Sequence, residues 1–564
     1  MAHAYGCVLG GRIPIVFRFR YLFLVIILVT AFVGIFDHDL WGPDEPRVAE
    51  TGREFLDEGS NLALPRLDKE PFLEQPPLYY WTLAVSYTIF GAHNDVTARV
   101  PSIFFGLLTV LITFLFVKKL YGSETAIKAA AVLSFVVVFF SAAHRCIVDS
   151  ALVFFVTLSM YFLHSALNSK GGKKIFYYTL CYFAVVGAIF SKGFVGLAFP
   201  VAFFVCWVVW TRDWKEIVKA QPWLGAAIVG SLVGIWLYLL GTTGSWDYAK
   251  EWFFHNNILR FIPFLGKYRG SHENPFYTYL GSFWNAFAPW CILVPAIFVW
   301  AWRRRKEDRN LMFMPLWFAS GFVILSVAGT KRAIYLAPLS APVAILTAMY
   351  LQGRMDGKIE GMLFRISEKI FVALLSLLPL VFVGAAIYMR FYDTVPFIVF
   401  LPLIMVSCFV FLRSYMRNRK ILFLPITAYL LIIYAGSATT AYPVMNREES
   451  VRPAYAGIRK ILEERNAPLY AFGASEFSRG AMPFYTGHFM KCLRNYTDVE
   501  NVSKDEQEVL MLVVDRTKDC SIFKMIQQWF PAVLYYTSTE YGGRPMWLLS
   551  NKPEKMDPMG GEVR

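Results

Sequence analysis

The chain has 564 residues, 56% of them hydrophobic and 17% aromatic, and a mean hydropathy of +0.45, which excludes an ordinary soluble domain and points to a bilayer. The net charge of +14 does not indicate nucleic acid, because the Lys and Arg residues form short clusters between apolar runs, where they set membrane topology. The eight cysteines show no CxxC pair or metal-finger spacing; Cys146, Cys181, Cys206, Cys291 and Cys408 read as packing residues, while Cys492 and Cys520 could pair as a disulfide in an oxidising compartment.

At the start of the chain, Arg12, Arg18 and Arg20 precede an apolar run from Tyr21 to Phe36 that lacks a small-residue cleavage site. It reads as a retained transmembrane helix, not a removed signal. Apolar runs of about 17 to 22 residues are long enough to cross the hydrocarbon core as helices. Thirteen spans are expected, at 20–36, 100–117, 126–143, 148–167, 175–191, 194–210, 222–241, 279–301, 311–328, 333–351, 370–389, 395–413 and 421–438. The runs are continuous and lack the alternation of a membrane barrel. With the basic N-terminus in the cytoplasm, every second loop is also basic, from Lys118-Lys119 to the cluster Arg413, Arg417, Arg419 and Lys420. An odd number of spans then places the C-terminal tail outside.

Three polar elements fall on that outer side: loops 37–99 and 242–278, and the tail from about residue 440. Residues 78 to 91 are semi-apolar, but a crossing there would invert the charge alternation after it, so they are expected to lie on the membrane surface. The tail reads as an α/β module. Ala454 to Arg465 and Ile522 to Phe530 carry helical periodicity, LYAFG, VLMLVVD and AVLYYT read as strands, and no Gly-rich nucleotide loop occurs. The expected fold is an α-helical polytopic membrane protein over residues 1–440 with a soluble α/β domain over 441–564.

The residues suited to chemistry also lie on the outer side. Asp44 and Glu45, with Arg47, follow the first span in WGPDEPR, where Gly42, Pro43 and Pro46 fix a turn. A carboxylate there is either a solvated cap or a general base placed where a lipid-borne phosphate would sit. Asp149 opens an apolar helix and therefore needs a role or a partner, the local one being Arg145. Glu74 and Gln75 stand before the paired prolines Pro76 and Pro77, a rigid elbow that also suits membrane re-entry. His255, His272, Glu273 and Glu74 are the residue types for a divalent metal, without a supporting motif spacing. Arg260, Lys267, Arg269, Lys192 and Lys331-Arg332 break the positive-inside pattern and suit phosphate binding, although any one of them is tolerable as a surface charge.

The run DEPRVAETGREFLDEGS with LPRLDKEPFLEQPPLYYWTLAVSYTIFG and ARVPS, then Asp149, Ser191-Lys192-Gly193, NILRF, HENPFYTY, Pro289-Trp290, the Lys331-to-Pro338 segment and MPFYTG, resembles the bacterial aminoarabinose transferases, within the protein O-mannosyltransferase-like fold C glycosyltransferases. The resemblance covers nearly the whole chain. It implies a bacterial inner-membrane enzyme with a periplasmic site, using a polyprenyl-phosphate sugar, needing no nucleotide, and acting on lipid A or a related glycolipid. It implies Asp44 as catalytic carboxylate, with Glu45 and Arg47 in its motif and Asp149 nearby. Where such proteins commonly read EKPPL, this chain has Glu74-Gln75-Pro76-Pro77-Leu78, so a donor-phosphate cation is replaced by an uncharged amide. Arg47 and Gln75 are expected at the donor phosphate, and Arg66, Lys69, Arg145, Lys192 and Arg260 are the residues expected to compensate. The resemblance associates Glu74 with a metal, zinc or magnesium or manganese, and His272 is its expected co-ligand. A monomer is expected. The competing readings are a protein O-mannosyltransferase-like enzyme and, outside enzymes, a lipid or sugar flippase, which the lack of an internal repeat disfavours.

Overall fold

The computed structural model describes residues 20–259, 274–417, 422–515, 517, 520–540 and 544–552. Among them, eight helices are long and apolar enough to cross a membrane, including Asp149–Leu167, Gly171–Lys192, Pro222–Thr243 and Val395–Arg417, and Tyr21–Thr30, Val195–Thr211 and Leu311–Val327 are shorter apolar helices. Helix occupies at least part of every span expected from the sequence. The apolar side chains these helices turn outward, such as Leu111, Val209, Ile235, Leu380 and Val406, are exposed, as a bilayer requires. The chain is a multi-pass membrane protein.

Several expected spans are interrupted, for identifiable reasons. The first helix stops at Thr30, and Gly34 then takes φ +79 against the ring of Tyr442, a left-handed conformation that Gly reaches at no steric cost. The expected span 279–301 divides into Thr278–Ala286, Trp290–Ile292 and Val294–Arg303, because Pro289 and Pro295 lack the amide hydrogen that a continuous helix would need. The expected span 126–143 breaks at Phe135 and Val136 without a proline. There the released backbone groups find partners on other elements: Tyr434 donates to the Phe135 carbonyl at 3.1 Å and Trp290 to the Val132 carbonyl at 3.1 Å, as a bilayer interior demands.

The first polar loop is built on two helices. Glu45–Arg53 begins directly after Asp44, with Pro46 in its first turn. Leu78–Phe90 has 13 residues, roughly 20 Å, too short to span. It buries Tyr79, Tyr80, Leu83 and Tyr87 and exposes Val85, Ile89 and Phe90. Between these helices a small antiparallel hairpin pairs β1 (Arg66–Leu67) with β2 (Glu70–Pro71).

The helix Phe423–Glu449 runs past residue 440 and leads into an α/β module. Its five strands are β3 (Leu469–Phe472), β4 (Lys491–Leu493), β5 (Leu510–Val514), β6 (Ala532–Glu540) and β7 (Arg544–Ser550), in the order β4-β3-β5-β7-β6. Strand β3 is parallel to β4 and β5, whereas β7 is antiparallel to β5 and β6. Every residue of β5 is buried, which is why it reads as an unbroken apolar run. Cys492 and Cys520 are both free thiols, so the disulfide raised as an option is not formed.

The module rests on the first loop. Arg452 pairs with Asp39 and Asp95, each at 3.3 Å, and Phe484 joins the apolar cluster of Leu40, Tyr79, Tyr80 and Leu83. At the closest approach, a Cβ on Gly480 would stand 2.5 Å from the backbone N and Cα of Arg47. Only glycine lets the helix Glu476–Thr486 lie this tightly against Glu45–Arg53.

Candidate active site

Asp44 lies at the wall of a polar cavity of about 430 Å³ formed where the first loop, the module and the helix ends around Asp149, Lys192 and Arg332 converge. A second, narrower space of about 90 Å³ shares Glu74, Gln75, Asp149, Lys192, Asn256, Thr330 and Tyr335 with the first. It continues between the apolar side chains Leu152, Val195, Phe199 and Leu325. A charged chamber thus opens onto an apolar slot, a shape suited to a molecule with a polar head and a lipid tail.

The Asp44 carboxylate receives a two-pronged contact from Arg332, at 3.1 Å from Nη1 and 2.5 Å from Nη2, and a third bond from Arg47 Nη2 at 2.7 Å. Burial of this carboxyl works to raise its pKa, but the bonds from Arg332 and the charges of Arg47 and Arg332 prevail and hold it well below the usual carboxylate range. Asp44 is therefore ionised. Arg47 also reaches Glu74 at 2.9 Å and bonds to Glu476 of the module, so one guanidinium ties the Asp44 turn, the proline elbow and the C-terminal module together. Asp149 is paired with Lys192 at 2.5 Å, not with the expected Arg145, and the Lys192 ammonium lies 4.3 Å from the centre of the Tyr335 ring.

The cavity thus gathers Asp44, Arg47, Glu74, Gln75, Asp149 and Lys192 from the sequence expectations. Glu45 is placed elsewhere. It is fully buried, pairs with Arg99 at 3.2 Å and accepts the amide hydrogens of Cys146 at 2.8 Å and Trp41 at 3.0 Å, which fastens the loop to the bundle. Arg145 sits 3.9 Å from Glu45 and does not line the cavity. Arg66 belongs to β1 away from the cavity, and Lys69 caps the hairpin with its ammonium 4.0 Å from the Phe489 ring centre. Arg260 and His272 lie outside the described residues.

Glu251, Thr330, Tyr335, Glu476 and Arg479 line the cavity without having been singled out, as do Tyr80 and Asn256, to which the sequence assigned no role in the site. The buried hydroxyl of Tyr80 makes no hydrogen bond among the described residues. Arg332 carried a signal, as a cation on the wrong side of the membrane. Glu476 and Arg479 carried none, because only tertiary docking of a segment more than 400 residues away brings Glu476 to Arg47 and Arg479 to Leu67.

Among the described residues, and with the expected co-ligand His272 outside them, the donors do not make up the metal site that the resemblance implies. Among the described residues no three His, Cys, Asp or Glu side chains are grouped to hold an ion. Asp44, Glu74 and Asp149 are each committed to a cationic side chain, and cations at those positions oppose a divalent ion.

Residues 74–238 match the family described as dolichyl-phosphate-mannose-protein mannosyltransferase. The chain is 28% identical over 338 residues to an undecaprenyl phosphate-alpha-4-amino-4-deoxy-L-arabinose arabinosyl transferase of Pseudomonas fluorescens, covering 59% of this chain and 60% of that protein. It is 26% identical over 333 residues to the transferase of that name from Erwinia tasmaniensis, covering 59% of each. The matched stretch therefore spans about three fifths of these relatives' length. Among solved structures it superposes on ArnT from Cupriavidus metallidurans, bound to undecaprenyl phosphate, with a TM-score of 0.77 at 19% identity, over 97% of this chain and 99% of that one. It also superposes on the archaeal oligosaccharyltransferase AglB from Archaeoglobus fulgidus, with a TM-score of 0.52 at 12% identity, over 96% and 75%. The chain is a sequence relative of the aminoarabinose transferases and has the GT-C fold of the membrane glycosyltransferases, completed by a C-terminal α/β module.

Proposed function

We propose that the chain is an integral-membrane glycosyltransferase that moves a sugar from a polyprenyl-phosphate donor to lipid A or a related envelope glycolipid at the periplasmic face of a bacterial inner membrane. The observation that carries this reading is an ionised carboxylate, Asp44, clamped by Arg47 and Arg332 at the wall of a polar cavity that continues, beside Asp149 and Lys192, into an apolar slot. The relatives named for undecaprenyl phosphate chemistry support it.

In the resting arrangement Asp44 is a poor base, because two guanidinium groups stabilise its charge. A donor phosphate entering beside Lys192 and Arg332 competes for the same donors. As Arg332 turns to the phosphate, Asp44 loses its strongest partner and gains basicity. The acceptor oxygen then attacks the anomeric carbon, forming the new C–O bond as the bond to the phosphate oxygen breaks. Where the acceptor is a hydroxyl, its proton passes to Asp44. The bonding electrons leave on polyprenyl phosphate, whose growing charge Lys192 and Arg332 stabilise. Asp149 holds Lys192 in place. Residues 1–440 supply this chemistry, and 441–564 close the cavity from outside.

The test is purified protein in nanodiscs with a labelled polyprenyl-phosphate sugar, offered diphosphorylated lipid A or a secreted polypeptide. Label on the glycolipid is expected. Because the matching family is described as protein mannosyltransferases, label found only on polypeptide would replace the acceptor, and no transfer to either would sink the enzyme reading.

A further inference from the structure

The cations that line the cavity are neutralised unequally. Arg47 and Arg332 hold Asp44 at 2.7 and 2.5 Å, and Lys192 holds Asp149 at 2.5 Å, all against carboxylates whose side chains are more than nine-tenths buried. Arg479, from the module helix Glu476–Thr486, differs. Its Nη2 donates to the Leu67 carbonyl at 2.6 Å and meets Glu70 at 3.0 Å, but Glu70 is half exposed. Its other carboxylate, Asp68, is 4.0 Å away, and its Nε, like that of Arg47, makes no hydrogen bond among the described residues. Burial also pushes the Asp68 carboxyl up to about 7, despite the opposing amide of Met490 and charge of Arg479, which weakens it as a counter-charge near neutral pH. Arg479 is therefore less closely matched by buried carboxylates than the other cations.

Its position separates it from Lys192 as well. Lys192 borders the narrow slot with its apolar walls, which Arg479 does not touch. Arg479 enters from the module against the hairpin that carries Leu67 and Glu70, and the contact of Gly480 with the Arg47 backbone fixes it there. A transfer reaction brings two substrates to one carboxylate. The slot end suits the lipid-phosphate donor, leaving the module end for the acceptor.

Resting on the glycosyltransferase reading above, we propose that Arg479 is the acceptor-binding residue: its guanidinium receives a phosphate group of the acceptor glycolipid, so that the C-terminal module selects phosphorylated acceptors. Glu70 is the exposed counter-charge that the acceptor displaces.

The test varies diphosphorylated lipid A at saturating donor with the full-length protein, and also measures lipid A binding directly. Arg479→Gln should raise the acceptor KM about tenfold, as expected for loss of a charge-assisted contact, and leave the donor KM in place. Arg479→Lys should recover most of the loss. Glu70→Gln should lower the acceptor KM, because it removes the competitor, whereas a merely structural ion pair predicts the opposite. Inorganic phosphate should compete with lipid A in the wild type and lose that effect in Arg479→Gln. The proposal is overturned if Arg479→Gln leaves the acceptor KM unchanged, if donor and acceptor KM rise together, if Glu70→Gln raises the acceptor KM, or if dephosphorylated lipid A binds as well as the diphosphorylated form. Should Arg479→Gln fail to fold, Arg479→Lys and Glu70→Gln decide the matter. Should the wild type transfer no sugar, the function above fails, while the binding measurement still reads Arg479.

Discussion

Replacing Asp44 with Asn keeps the side-chain shape and removes one charge from a site that is 7% exposed. The structure gives two consequences of different size. The three bonds from Arg47 and Arg332 lose their ionic component, and the amide nitrogen of Asn must face a guanidinium donor. Removing one partner of such a buried pair costs about 3–5 kcal/mol of stability, so folding has to be measured alongside activity. Loss of a general base independently lowers turnover by about 10²–10⁴-fold. Polyprenyl phosphate binding should move the other way, because the guanidinium groups of Arg47 and Arg332 no longer hold a competing carboxylate. The assay is sugar transfer, thermal unfolding in detergent and binding of labelled polyprenyl phosphate on the same preparation. A variant that binds polyprenyl phosphate more tightly and transfers at under 1% of the wild-type rate would support the displacement of Asp44 by donor. A folded variant with transfer within tenfold of wild type would refute Asp44 as the base.

Gly480→Ala places a methyl group 2.5 Å from backbone atoms of Arg47, so the helix must retreat; overpacking of this kind costs about 1–3 kcal/mol, visible as a lower melting temperature and a higher acceptor KM. Asp68 binds a proton more tightly when folded, since burial raises it from 3.8 to about 7. Stability should accordingly fall as pH rises between about 4 and 7, by at most about 1.4 kcal/mol per pH unit, and level off above. Asp68→Asn should flatten that slope in a series of melting temperatures from pH 5 to 8, and an unchanged slope would remove Asp68 from the account.

The helical bundle was legible because each span is a contiguous apolar run, and its breaks were legible only where proline marks them, as at Pro289. The break at Phe135 was not, since its partners Tyr434 and Trp290 are hundreds or scores of residues away. In the module, β5 stood out as a fully buried strand. The short strand β4 and the helix Glu476–Thr486, with Pro483 inside it, lack a periodicity long enough to read. The same limit governed the cavity. Asp44, Glu74 and Asp149 announced themselves as carboxylates at helix ends or elbows. Which cation each would meet depended on helix packing: Asp149 chose Lys192, 43 residues onward, over Arg145 four residues back. Glu45 shows the converse, since adjacency to Asp44 suggested chemistry, yet helical geometry turns it toward Arg99 and the bundle.

Gln75 is where sequence and geometry bear on one question. Five carboxylates among the described lining residues, those of Asp44, Glu74, Asp149, Glu251 and Glu476, face four cations, those of Arg47, Lys192, Arg332 and Arg479. Such a cavity does not draw a phosphate by net charge. On the proposed function it would bind one by exchange, in which the phosphate takes a guanidinium or ammonium from a carboxylate, and that exchange would free Asp44 only while the charge balance stays close. Gln75 lines both the chamber and the slot, next to Glu74 and across from Lys192. Gln75→Lys adds a cation there that no carboxylate has yet claimed except Glu74. It should tighten polyprenyl phosphate binding about tenfold, the scale of one charge-assisted contact. Because the product is that same phosphate, tighter binding also slows its release, so steady-state turnover should fall while a single-turnover burst is preserved. Equilibrium binding and rapid-quench transfer measure the two effects separately. An unchanged affinity for polyprenyl phosphate in Gln75→Lys would mean that the donor phosphate does not sit beside residue 75, and would move the donor end of the cavity away from the slot.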